Sequence, residues 1–196
     1  MKRLCTALFA FSFAASLAAL PVAAQNNSMS NSSSSNSMAK TSAATTASDT
    51  TFMKKAAQGG LAEVELGKLA TEKASSSEVK QFGERMVTDH TKANDKLKQV
   101  AIEEHVTLPD KLDAKDQATK DSLEKLSGAD FDRAYMKDMV KDHKADIAEF
   151  EHESKSGENT AVKDFATQTL PTLHSHLREA EKVAPTVEAS NTAAVK

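Results

Sequence analysis

Met86-Val87-Thr88-Asp89-His90 and Met139-Val140-Lys141-Asp142-His143 are two copies of one pattern, Met-Val-x-Asp-His, in a chain of 196 residues. Around each copy the apolar residues recur at threes and fours, the period of a helix that buries one face. The first copy continues a stripe of Val79, Phe82, Met86, His90, Ala93, Leu97 and Val100. The second continues Phe131, Tyr135, Met139, His143, Ile147 and Phe150. In both, the histidine falls on the apolar side and the aspartate lies about 100° round the helix.

Two further stretches share this period. Val162, Phe165, Thr169, Leu173, His176, Ala180 and Val183 form a stripe that Asn159 can cap, with Pro171 inside it and Pro185 after its last apolar position. A first helix over 51–73 has a stripe of small residues, Ala56, Gly60, Gly67 and Ala70, with Glu63 among them. Small residues let neighbouring backbones approach, so Glu63 is expected to face inward. Glu65, about 200° away, is expected in solvent. Ser75 and Glu78 offer a capping box for the second helix, and 112–126 reads as a shorter helix closed by Gly128.

The connections set the topology. A few residues join the first helix to the second, and the third to the fourth, so each pair should be an antiparallel hairpin. The link between the hairpins exceeds twenty residues and contains the short helix. The expected fold is therefore all-α, a ferritin-like four-helix bundle with a short extra helix in the long crossover. A faint echo agrees: Val79-Lys80-Gln81-Phe82 opens the second helix and Val162-Lys163-Asp164-Phe165 the fourth.

The ends read differently. Met1-Lys2-Arg3, an apolar stretch to Leu20 and Pro21-Val22-Ala23-Ala24 make residues 1–24 a cleavable signal peptide. Residues 25–50, rich in Ser, Asn and Thr, read as a disordered spacer, 51–185 as the bundle and 186–196 as a disordered tail. The single cysteine, Cys5, would leave with the signal, so packing rather than disulfides must stabilise the fold. Loss of Lys2 and Arg3 leaves 23 basic against 28 acidic residues, a net charge of −5. With no basic patch, one Tyr and no Trp, nucleic-acid binding is disfavoured. No second apolar run is long enough to span a bilayer, so the mature chain should lack a transmembrane segment. The expected place is the periplasm or cell envelope, with an envelope protein or a second copy of the chain as partner.

Each helix thus offers one inward polar group: Glu63, His90, His143 and His176. Bundle cores host metal and cofactor sites built in this way, and imidazole is the commonest metal ligand. A divalent metal ion is the cofactor this set would take, with Asp89 and Asp142 orienting the imidazoles from behind. The same four groups can also satisfy one another as a ligand-free network that fixes helix register. Both readings stand on the sequence. Glu149-Phe150-Glu151-His152 matches Glu-x-x-His, the ligand motif of di-iron bundles, but occurs once and places His152 off the apolar stripe. His105 and His152 should be exposed, and His174 on a flank. Without a phosphate loop, or a nucleophile beside an organised base, acyl or phosphoryl transfer is disfavoured. A redox enzyme would need an open coordination position that the sequence does not display. The leaning is to a non-enzymatic protein.

Five ordered motifs carry a family resemblance. They are Phe52 with the run Gly59-Gly60-Leu61-Ala62-Glu63-Val64-Glu65-Leu66-Gly67; Arg85 to His90; Ser127-Gly128-Ala129-Asp130-Phe131-Asp132-Arg133-Ala134-Tyr135; Met139 to His143; and Leu170-Pro171-x-Leu173 with His176-Leu177. Across about 51–184 the chain resembles the exported bacterial domain-of-unknown-function family four-one-four-two, also labelled predicted outer-membrane protein. The resemblance implies a ferritin-like bundle in the envelope and supplies no activity; a ligand-free structural or interaction protein there would be expected to serve envelope stress tolerance. Ferritins and di-iron oxidases pair two Glu-x-x-His motifs; this chain lacks the pair, which argues against ferroxidase and iron storage.

Export is directly testable. Mass spectrometry of protein recovered from the periplasm should find Gln25 as the first residue, and a mature species retaining Cys5 would exclude cleavage after Ala24.

Overall fold

The computed structural model describes residues 43–194. The signal-peptide reading of 1–24, and the spacer as far as residue 42, lie outside the described residues. Five helices follow in order: α1 Ala47–Lys73, α2 Ser77–Glu103, α3 Ala114–Glu124, α4 Gly128–Ser156 and α5 Thr160–Ala194. Among the described residues no helix is long and apolar enough to cross a membrane.

α1 and α2 pack along their lengths, as do α4 and α5; α2 lies against α5 and α1 against α4. The ends fix direction. Phe52 near the start of α1 packs on Phe150 near the end of α4 and on Phe165 near the start of α5. At the other end, Asp132 near the start of α4 binds Ser75 and Ser76 in the α1–α2 link. α2 and α4 therefore run parallel and diagonal to each other, with α3 in the crossover packed on α1 and α4. This is the ferritin-like topology.

Two buried carboxylates hold the hairpin turns. Asp49 accepts from Glu158 N at 3.0 Å and Asn159 N at 3.3 Å, both in the α4–α5 link. Asp132 accepts from Ser75 N at 3.1 Å, Ser75 Oγ at 2.6 Å and Ser76 N at 2.9 Å in the α1–α2 link. These N–H groups precede a helix or open it, where no carbonyl within the helix reaches them.

Several boundaries differ from the sequence reading. α1 starts at Ala47 rather than 51, because Thr46 and Asp49 form a reciprocal capping box. Residues 47–50, read as spacer, belong to the bundle. Ser76 rather than Ser75 caps α2, because Ser75 is held by Asp132. The tail from 186 continues as helix to Ala194: α5 runs through Pro185, Val187 is buried beside Val183, and the bond forgone at Pro185 is offset by that packing. Asn159 caps α5, accepting from Ala161 N at 2.9 Å and Val162 N at 3.1 Å.

The apolar core is in two parts. One gathers Val79, Phe82, Met86, Phe131, Tyr135 and Met139 with their neighbours; the other gathers Phe52, Leu97, Phe150, Phe165 and Leu173. The four expected polar residues lie buried at the middle of the bundle. The small stripe on α1 does what its composition implies. A Cβ on Gly67 would stand 2.8 Å from Gly83 O, and a Cβ on Gly83 2.8 Å from Gly67 O. Backbone meets backbone there, so nothing can yield locally.

Gly83→Val should therefore push α1 from α2 and cost roughly 1–3 kcal/mol, the usual penalty of overpacking. A urea titration followed by circular dichroism checks this. An unchanged midpoint would mean that the two helices are not so closely apposed.

Candidate metal centre

His90 comes from α2, His143 from α4 and His176 from α5, and all three are buried. One ring nitrogen from each lies within 4.8 Å of the others. The ring centroids are 5.3 Å apart for His90–His176 and His143–His176, and 5.7 Å for His90–His143. Phe82 covers the group with edge contacts to His143 and His176 at 6.4 and 6.5 Å.

Hydrogen bonds fix two of the rings. His143 Nδ1 lies 3.0 Å from Met139 O, one turn back on α4, and His143 Nε2 lies 3.3 Å from His176 Nδ1. His176 Nε2 lies 3.0 Å from Asp89 Oδ2. Arg85 holds Asp89 in turn with Nε at 3.3 Å; its other nitrogens reach Ser175 Oγ at 3.0 Å and Glu179. His90 Nε2 is buried with no hydrogen-bond partner. Glu63 Oε1 is 3.5 Å from His143 Nδ1, and Glu63 Oε2 is buried and unpartnered.

The protons in this row do not match the positions. Between Asp89 and Met139 O there are three gaps, each needing one N–H, and the acceptors at both ends supply none. Two neutral imidazoles carry one N–H each. If His176 donates to Asp89 and His143 donates to Met139 O, bare nitrogens face each other at 3.3 Å. A third proton would require an imidazolium, and burial opposes that. Burial pushes His143 down to about 4, aided by the neighbouring His176. It pushes His90 down well below the ordinary range, with His143 and His176 adding to it. Burial also lowers His176, although the Asp89 hydrogen bond pulls the other way.

The carboxyls divide. Burial raises Asp89, but bonds from His176 and Arg85 outweigh it and hold Asp89 below its usual value. Glu63 is pushed well above its usual value by burial and then by Asp146, Asp142, Asp138 and Asp116, so it is a neutral acid in this setting.

The sequence brought together Glu63, His90, His143, His176 and Asp89. Asp142 does not fulfil its expected role behind an imidazole; it lines an outer groove between α1, α4 and the start of α3. The two Met-Val-x-Asp-His copies point their aspartates at different neighbours, since α2 has α5 on that side and α4 has the groove. His105 and His152 are exposed, and His174 sits on a flank 3.8 Å from Glu151. Arg85 and Asp146 were missed. Asp146 had a usable signal, one turn after His143 on the same face; Arg85 had none.

Titration of the rings gives a signed prediction. Their folded-state pKa values are depressed, so their contribution to stability is present above the unfolded value near 6.5 and is lost as pH falls through the folded value, about 4 for His143. Raised carboxyls act oppositely, so the test is a difference. Urea midpoints of wild type and His143→Gln should diverge between pH 7 and 4, the wild type losing roughly 2–3 kcal/mol more. Parallel curves would mean that burial does not depress the His143 pKa in the folded protein.

Comparison with known proteins agrees with the architecture. The family described as Domain of unknown function (DUF4142) matches residues 34–183. Among solved structures, a DUF305 fragment from Deinococcus radiodurans superposes with a TM-score of 0.65 at 13% identity, covering 74% of this chain and 99% of that one. That likeness is one of fold. No functionally curated protein matches the sequence.

Proposed function

The chain belongs to the Domain of unknown function (DUF4142) family, whose description names no activity, and from the site itself we propose that it is an exported, non-enzymatic envelope protein that binds one divalent transition-metal ion through His90, His143 and His176. The observation that carries this reading is the pair of nitrogens on His143 and His176, 3.3 Å apart, each on a ring whose far nitrogen faces an acceptor. A cation between them removes the proton shortfall. Both far N–H groups are then free to donate, to Met139 O and to Asp89. Metal-bound histidines are held in this way, by a carboxylate or a carbonyl behind the ring.

The distances support it. Two nitrogens on one tetrahedral ion at bond lengths of about 2.0–2.1 Å stand about 3.3 Å apart. His90 supplies a third, unpartnered nitrogen, which a bound ion would draw inward from the 4.8 Å limit of the group. A set of three imidazoles suits zinc, copper or nickel better than calcium or magnesium. Export is supported by the charged start, apolar stretch and Val22-Ala23-Ala24 of the leader.

A second reading rests on Glu63. As a neutral acid 3.5 Å from His143 Nδ1 it could donate there and complete a ligand-free network, serving only to fix register. The two differ in their response to metal. Protein purified without a tag should melt higher with Zn2+, by an amount equivalent to about 2.7 kcal/mol at 100 times the dissociation constant. His143→Ala should abolish the increment, and it should fade as pH falls towards about 4, where His143 takes up a proton in the folded protein. If Zn2+, Cu2+ and Ni2+ all leave the melting temperature unchanged and none is retained on dialysis, the ligand-free network stands.

A further inference from the structure

The metal site is closed on the Phe82 side, which leaves the question of how an ion reaches it. Glu63, Asp116, Asp142 and Asp146 line the outer groove of about 310 Å³, in which six acidic side chains face only Lys55 and Lys115. Lys55 is already paired with Glu149. An acidic groove alone implies nothing, but two other observations point inward from this one. Glu63 lines it and keeps a buried carboxyl oxygen with no partner. The groove also shares Gly59 and Asp146 with a second, inner cavity of about 20 Å³, whose wall includes His90 with its unpartnered nitrogen.

The inner cavity has an origin in the sequence. The two hairpins are internal repeats offset by 83 residues: Asp49 matches Asp132, Ser76 matches Asn159, Phe82 matches Phe165, and Glu63 matches Asp146. By the same offset His90, His143 and His176 match Leu173, Gly60 and Ala93. Those three residues line the inner cavity. Where one half of the molecule has imidazoles, the other has small or apolar groups and an opening the size of one water molecule or one bare ion. Asp146 is the counterpart of Glu63, but faces that opening where Glu63 faces a histidine. Gly59 leaves Asp146 room, its Cβ position lying 3.9 Å from the carboxylate.

We propose that Asp146 passes a divalent cation from the acidic groove, through the cavity beside Gly59 and Gly60, to His90. This rests on the metal reading of the histidine site. The groove concentrates cations, Asp146 replaces part of the hydration shell, and the unpartnered His90 nitrogen receives the ion before it settles between His143 and His176. Glu63 borders the groove where the path begins but does not line the inner cavity.

Stopped-flow mixing of the full mature chain with Co2+, followed by its visible absorption, separates the path from the site. Asp146→Asn keeps the shape and removes the charge; it should slow association about tenfold, the low end of electrostatic guidance, and, because ions leave by the same path, slow dissociation equally and leave the equilibrium affinity within a factor of about two. Ala93→Val narrows the cavity without touching a histidine and should slow both rates likewise, with the melting temperature confirming that it folds. Wild-type association should fall with added salt more steeply than that of Asp146→Asn. If wild type binds Co2+ and both variants bind at wild-type rates, the path is wrong and the metal site stands. If Asp146→Asn only accelerates dissociation, Asp146 is a ligand and not a conduit. If wild type takes up no Co2+ at equilibrium, the site and the path fall together.

Discussion

Three imidazoles share one layer of an otherwise largely apolar core, and that layer constrains everything around it. Charging any one of them inside this environment is costly. Neutral rings must therefore find acceptors for their N–H groups and donors or a cation for their bare nitrogens. The acceptors are provided with some care: a helix carbonyl for His143, and for His176 an aspartate kept ionised by Arg85. When both rings donate outward, no other side chain among the described residues donates to the two nitrogens that face each other. A polar layer so one-sided in its hydrogen bonding needs either a cation between the rings or a proton from Glu63 behind His143, and burial weighs against a charged ring.

The repeat of 83 residues explains why such a layer is tolerated. The elements it repeats are structural: a buried aspartate binding the opposite link, a cap, and a helix opened by Val-Lys-x-Phe. Together they pin both ends of the bundle by hydrogen bonds to groups that would otherwise be orphaned. The middle is where the halves part company. Histidines on one side and Leu173, Gly60 and Ala93 on the other make the site single rather than double, and leave space next to it. Architecture comes from the repeated residues, chemistry from the unrepeated ones.

The sequence made the fold legible because the helical period, the link lengths and the caps all point one way. His90, His143, His176 and Glu63 could be placed in the core from stripe position alone, since 100° per residue is a local rule. Contacts that depend on which helix lies alongside were not available. Asp89 and Asp142 occupy the same place in the same motif, yet one meets a histidine and the other a groove. The beginning of α1 was hidden for a different reason. Ala47 to Thr50 has the composition of a linker, and Asp49's bonds to Thr46, Glu158 and Asn159 draw it into the bundle.

Glu63 and Asp146 show how context decides what a buried carboxyl becomes. Both are pushed up by burial and by other acids, Asp146 to about 7. Glu63, enclosed beside His143, has no route to solvent except the groove, and its proton serves it better than a charge would. Asp146 is only partly buried and touches both the groove and the inner cavity, so a cation at either wall can take the place of its proton. Equivalent positions in two repeats thus lead to a neutral acid that completes a packed layer and to an exchangeable anion at a passage. The difference comes from one residue on the facing stripe, His143 against Gly60.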